Sequence, residues 1–319
     1  MLRGPQATLA ALVVLVVLCC ALAACGGASG GASDGASTAP SASGGATHTD
    51  LAYGGDSAAQ KLDLYLPAQG TPPYPVIVAI HGGGFLSGDK ADGQIVPVLE
   101  ALKRGYAVAG VNYRLSQEAA FPAAISDVKA AVRWLRAHAA DYGLDPSRFA
   151  AWGQSAGGTL AALAGTSGDV AELAGPHPGD ADQSDRLQAV IDWYGPISFL
   201  RTDQDFRAAG FTGPSAEGAQ SFLSQYMGAP LRQVPDKVEA ADPITYITPD
   251  DPPMLVEHGT ADSVVPVGQS RRFATALTRT LGPDAVTLRI FPGAGHVDPL
   301  FFEQSHIDDM LDWLDARLQ

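Results

Sequence analysis

Two rhythms of apolar positions alternate along most of this chain. Residues 61–66 (Lys-Leu-Asp-Leu-Tyr-Leu) switch between polar and apolar with period two and stop at Pro67, which predicts a half-buried edge strand. Residues 75–80 (Pro-Val-Ile-Val-Ala-Ile) are apolar without a break, as are most of 106–111 and 148–152. Such runs predict strands buried on both faces of a parallel sheet. Further strands are predicted at 187–193, 254–257 and 286–291. Between them Ile125, Val128, Val132 and Leu135 recur at spacings of three, four and three, which is one face of a helix. Helices are also predicted at 159–163, 270–281 and 307–318. Strands alternating with helices imply the α/β class, with a mostly parallel sheet covered on both faces. No internal repeat of fixed period is present.

Two stretches break the rhythm. Residues 198–248 hold one short helical pattern, near 219–226, and an excursion of this length predicts a small cap inserted over a site. The other is the N-terminus. Residues 9–24 are an uninterrupted run of 16 apolar residues after Arg3, shorter than the roughly 20 that a spanning helix needs. The run ends in Leu22-Ala23-Ala24-Cys25-Gly26, which resembles the bacterial lipoprotein cleavage motif. That resemblance implies lipid attachment to the thiol of Cys25 and an extracytoplasmic protein tethered to the cell membrane through this anchor alone. An ordinary cleavage site at Ala21-Leu22-Ala23, giving a secreted protein, and an uncleaved anchor are the alternatives. Residues 25–47 are Gly, Ala, Ser and Thr with few other residues and read as a flexible spacer. The expected organisation is a leader at 1–24, a linker at 25–47 and one domain at 48–319.

Composition narrows the chemistry. The 319 residues carry 20 Lys and Arg against 34 Asp and Glu, a net charge of −14, which disfavours nucleic acid as a partner. The apolar fraction of 46% is enough for a large core. The three cysteines, Cys19, Cys20 and Cys25, precede the domain, so it contains neither a disulfide nor a thiol nucleophile.

The strongest local signal is Gly153-Gln154-Ser155-Ala156-Gly157, between a predicted strand and a predicted helix. It resembles the nucleophile elbow of α/β-hydrolases, in which a strained turn lifts the serine hydroxyl above the sheet. A Gly-rich connection that binds phosphate is the plainer alternative, but no Lys-Ser or Lys-Thr follows to support a P-loop. His81-Gly82-Gly83-Gly84-Phe85 follows the strand at 75–80. Consecutive glycines there let backbone amides converge on one oxyanion, and Gly83, Gly84 and Ala156 are the expected donors. His81 reads as a brace for this loop.

A serine needs a base, and the base needs an orienting carboxylate. In that fold the chain order is serine, acid, histidine. His296, in the small-residue loop Phe291-Pro-Gly-Ala-Gly-His296, is the expected base. Asp262, on the turn after the strand at 254–257, is the expected acid. Asp298 is a rival acid that reads better as a loop cap. His258 reads as a strand-end hydrogen-bonding residue, His306 as a surface residue of a helix, and His177 as a loop residue. Trp152 and Trp193 read as core or pocket wall, and Phe199, Phe222 and Tyr226 as cap lining or packing.

From about residue 50 onward the chain is similar to the esterases carrying His-Gly-Gly-Gly, the hormone-sensitive-lipase-like and feruloyl-esterase-like (BD-FAE) groups. Residues 121–136 and 142–148 resemble the helix and loop that precede their elbow, with Asp127 tying helix to sheet. No helical cap precedes the glycine loop, which favours the BD-FAE group. The resemblance implies an α/β-hydrolase fold and a serine carboxylesterase without metal or organic cofactor. Its substrate would be a small-molecule ester, including acyl groups on carbohydrates, and a short acyl chain is expected. A small-substrate peptidase or amidase, and an inactive surface-binding lipoprotein, are the alternatives. Oligomeric state is not legible.

Overall fold

The computed structural model describes residues 45–175, 180–212 and 215–318. The leader, Cys25, the linker as far as residue 44, and His177 lie outside the described residues.

Strands β1 (His48–Ala52), β2 (Lys61–Tyr65), β3 (Tyr74–Ile80), β4 (Ala107–Val111), β5 (Leu144–Gln154), β6 (Ala189–Trp193), β7 (Met254–Gly259) and β8 (Val286–Phe291) form one sheet in the order β1-β2-β4-β3-β5-β6-β7-β8. From β4 to β8 every neighbouring pair is parallel, while β1 and β2 run antiparallel at one edge. The helices are α1 (Val96–Leu99), α2 (Ala123–Ala137), α3 (Ala139–Tyr142), α4 (Ala156–Thr166), α5 (Thr202–Ala208), α6 (Phe222–Met227), α7 (Pro235–Ala240), α8 (Gly268–Leu281) and α9 (Gln304–Leu318).

Alternate residues of a strand face opposite sides, so one run of apolar residues feeds two cores. Val76, Val78 and Ile80 of β3 pack with Ile125, Val128 and Val132 of α2, Leu160 and Leu163 of α4, and Phe273 and Leu277 of α8. Ile77 and Ala79 turn the other way, into a core with Val98 of α1 and Ile307, Met310, Leu311 and Leu314 of α9. Trp152 and Trp193 belong to this second core and meet edge to face.

Three expectations need correction. The strand at 61–66 is not an edge strand. β1 pairs outside it, and Leu62, Asp63, Leu64 and Tyr65 are all buried. β1 offers only Leu51 and Ala52 as apolar residues, too little for a periodic signal. The chain is also tied to the body before residue 48: Ala46 packs against the second core, and Thr47 Oγ1 accepts a hydrogen bond from the Leu66 amide at 2.9 Å. Lastly, the excursion at 198–248 holds α5, α6 and α7 rather than one short helix. Phe199, Leu223, Tyr226, Met227, Leu231 and Val238 are buried in the same cluster as α2 and α4, so this segment shares the core of the domain.

Helix α2 is buried beyond its apolar face. Asp127 accepts from Arg114 and from Gln60, which ties this helix to the sheet as expected. Lys129 and Arg133 both reach Asp185, at 3.0 and 2.9 Å, with all three side chains almost wholly buried. Removing the carboxylate would take from two buried cations the charge partner they share. Asp185→Ala is therefore expected to destabilise the protein by about 3–5 kcal/mol in urea unfolding monitored by tryptophan fluorescence. A loss below about 1 kcal/mol would show that the two cations do not depend on it.

Candidate active site

Strand β5 ends at Gln154 and α4 begins at Ala156, which leaves Ser155 alone to turn the chain. Its backbone sits at φ 54°, ψ −119°, a strained conformation for a residue with a Cβ. The turn holds because its surroundings admit no side chains. A Cβ on Gly153 would lie 2.0 Å from the Gly157 carbonyl oxygen, and one on Gly157 would lie 2.1 Å from that of Ile80. The Ser155 amide donates to the Trp193 carbonyl at 2.8 Å, which fixes the elbow to β6.

The other two side chains arrive from the ends of the next strands. Asp262 follows β7 and is buried. Its Oδ1 accepts from the amides of Val264 and Val265, both at 2.8 Å. His296 follows β8, and the loop that carries it is laced to the acid turn. Ala261 donates to the Ala294 carbonyl at 2.9 Å, Thr260 donates to that of Phe291, and Thr260 Oγ1 accepts from the Gly293 amide. The His296 ring spans the gap, with Nδ1 2.7 Å from Asp262 Oδ2 and Nε2 3.0 Å from Ser155 Oγ. Burial works to raise the Asp262 carboxyl, but hydrogen bonds from His258 and His296 outweigh it and hold the group well below the usual carboxylate range. The three residues singled out in the sequence thus meet at one rim.

The glycine loop lies beside them. Gly83 and Gly84 have φ of 102° and 63°, the left-handed region that favours glycine. The Gly82 amide is occupied by Gln94 Oε1 at 2.8 Å. No described residue accepts from the amides of Gly83, Gly84 or Ala156. His81 stacks on Tyr113 at 4.4 Å, and its Nδ1 lies 2.8 Å from the Gly82 carbonyl. Burial pushes its pKa down, as suits a neutral brace. Asp298 accepts from the Gly295 and Leu300 amides and caps the following turn, apart from the relay.

One sequence expectation fails here. His306 is buried, with Nε2 2.7 Å from Oε2 of the fully buried Glu257. Helix periodicity could not show that a carboxylate of β7 faces it.

Three residues that bind the site together escaped the sequence reading. The Tyr194 hydroxyl donates to Gln154 Oε1, Gln154 Nε2 donates to the Gln94 carbonyl, and the Gln94 side chain holds the Gly82 amide. This chain of contacts joins the elbow to the glycine loop. Tyr194 also lies edge-on to the His296 ring at 4.7 Å. Only Gln154 had a local clue, its place inside the elbow pattern. No group of three or more His, Cys, Asp or Glu among the described residues is arranged to hold a metal ion.

Comparison with known proteins agrees with this geometry. The BD-FAE family model matches residues 62–277, a stretch that holds the glycine loop, Ser155 and Asp262 and stops short of His296. The chain belongs to the BD-FAE family. Among curated relatives, it is 34% identical over 233 residues to a probable carboxylic ester hydrolase, LipM, of Mycobacterium tuberculosis, covering 72% of this chain and 51% of that protein. The chain spans about half the length of the curated relatives it matches. A truncated carbohydrate esterase from gut microbiota superposes with a TM-score of 0.76 and 32% identity, over 84% of this chain and 94% of that one. Esterase 2 of Thermogutta terrifontis with butyrate bound superposes with a TM-score of 0.64 and 29% identity, over 84% and 92%. The fold is that of the α/β-hydrolases.

One buried group of this BD-FAE domain is poised to titrate. Asp192 of β6 lies behind the elbow. Its Oδ1 accepts from the Gly195 amide at 2.9 Å, and its Oδ2 has no hydrogen-bond partner among the described residues. Burial pushes its pKa up to about 6, against smaller lowering effects of the Gly195 amide and His258. Between the ordinary value and about 6 the folded protein keeps a proton that the unfolded chain releases. The stability contributed by this group is therefore full at low pH and lost as pH rises through about 6. Relative to Asp192→Asn, the wild type is expected to gain on the order of 2 kcal/mol between pH 7.5 and pH 4.5 in parallel urea titrations. Parallel pH profiles for the two proteins would contradict this.

Proposed function

We propose that this protein is a serine carboxylesterase that hydrolyses short-chain esters, including acyl groups carried by carbohydrates. The observation that carries the reading is the His296 ring lying within hydrogen-bond distance of both Ser155 Oγ and Asp262 Oδ2. In this scheme Ser155 Oγ attacks the ester carbonyl while His296 Nε2 takes its proton. Asp262 accepts from Nδ1–H, which fixes the tautomer and stabilises the imidazolium as it forms. The carbonyl oxygen becomes an oxyanion and receives the amides of Gly83, Gly84 and Ala156, with the N-terminus of α4 adding favourable potential. Collapse expels the alcohol, protonated by His296. Water, deprotonated by the same ring, then attacks the acyl-enzyme and releases the acid.

Short acyl groups fit the crowding beside the glycine loop, where a Cβ on Gly84 would lie 3.3 Å from Phe222 Cβ. The likeness to a butyrate-bound esterase supports the same preference. A carbohydrate alcohol is supported by the likeness to a carbohydrate esterase. The apolar run at 9–24 followed by Cys25 supports a lipid-anchored, extracytoplasmic location, which would bring the domain to esters outside the cell.

Turnover of a p-nitrophenyl ester series from acetate to palmitate tests the reading. The expected result is the highest kcat/KM between acetate and butyrate, and a loss of at least about 10⁴-fold in Ser155→Ala with unchanged circular dichroism. Faster turnover of palmitate, or a Ser155→Ala variant of near wild-type rate, would contradict it.

A further inference from the structure

His258, near the end of β7, is fully buried and takes no part in the scheme above. Its Nε2 lies 2.8 Å from the Val265 carbonyl oxygen and 3.2 Å from Asp262 Oδ2, and its Nδ1 lies 2.6 Å from Ser270 Oγ. A carbonyl oxygen can only accept, so Nε2 carries a proton, and that proton is shared with the carboxylate. In the neutral ring Nδ1 then accepts from the Ser270 hydroxyl.

Asp262 accordingly sits among four donors. The Val264 and Val265 amides grip Oδ1, while the His258 and His296 rings share Oδ2. The two amides restrain the carboxylate torsion through Oδ1 alone. A second donor on Oδ2, from a fully buried ring, narrows the torsion further and opposes a swing of Oδ2 away from His296.

We propose that His258 is a positioning residue for the reaction: acting through Asp262, its Nε2–H pins the oxygen that orients His296, and Ser270 selects the tautomer that makes this possible. The inference rests on the esterase reading for its kinetic consequences and on contacts alone for the tautomer. His258 touches no substrate, so it should act on kcat rather than KM. Without its N–H, Oδ2 is freer to leave His296, and the contact that favours the imidazolium weakens. The acid limb of the pH profile should then move to lower pH as kcat falls.

Other titratable groups face these rings. Tyr194, the residue after β6, lies edge-on to both, at 6.5 and 4.7 Å. Asp192 approaches from β6, and Glu257, the preceding residue of β7, is engaged by His306 and Arg289. Of these, Asp192 is pushed up to about 6 by burial, so profiles are compared in wild-type and Asp192→Asn backgrounds.

The test compares His258→Leu, which removes the donor, with His258→Gln, whose side-chain amide restores an N–H. With p-nitrophenyl acetate, His258→Leu is expected to lose about 10–100-fold in kcat with KM changed less than about twofold and the acid limb lowered. His258→Gln is expected to recover most of the rate and the limb. An unchanged His258→Leu profile, or equal impairment of both variants with an unmoved limb, would overturn the proposal. Should the Leu variant fail to fold, ¹⁵N-histidine NMR of the wild-type protein decides independently of activity. The Nε2–H tautomer is expected for the neutral ring of His258, and an Nδ1–H tautomer there would overturn it. An inactive wild-type protein with the expected tautomer would count against the esterase reading and leave the contact intact.

Discussion

The ring of His296 is held between two oxygens that the chain brings from far away, one 141 and the other 34 residues distant in sequence. A proton can pass from Ser155 only while both contacts persist, so the rest of the molecule can be read as the means of keeping three strand ends in fixed relation. β5, β7 and β8 carry the serine, the acid and the histidine, and β6 fills the space between the first two. Parallel pairing puts all four C-terminal ends on one side of the sheet, where ligands of open α/β sheets bind. The acid turn and the histidine loop are also hydrogen-bonded to each other directly, so they form one unit before the serine is considered.

Strain and charge are both managed by burial. The Ser155 backbone conformation costs on the order of 1–3 kcal/mol. The glycines around it let β5, α4 and the end of β3 approach more closely than side chains would allow, and this packing offsets the cost. The Asp262 carboxylate lies in the interior, yet its donors keep it ionised, as the proposed reaction requires of it. Asp192, one strand away, shows the opposite outcome. With a single amide on one oxygen, burial wins and the group holds its proton to about pH 6.

Much of this was legible in the sequence because the motifs are local. A Gly-x-Ser-x-Gly turn, a triple glycine and a strand-end acid each need residues close in sequence, and strand–helix alternation fixes their order. β1 was missed because an outer five-residue strand with two apolar residues has no rhythm. The short helices α5 and α7 went unpredicted, while α6 overlaps the pattern at 219–226, because six or seven residues are too few for a dependable periodic stripe. His306 looked exposed because nothing near it in sequence announces Glu257. The Tyr194–Gln154–Gln94 chain and the role of His258 are tertiary: each joins residues that only the finished sheet brings together.

In the proposed reaction Ser155 Oγ receives the acyl group, and His296 makes it able to do so. Acid quenching during turnover of p-nitrophenyl acetate, followed by peptide mass mapping, tests this directly. The account predicts the mass of one acetyl group on the peptide containing Ser155, and no such adduct in His296→Ala. Acetylation at another residue, or steady turnover with Ser155 never modified, would contradict it.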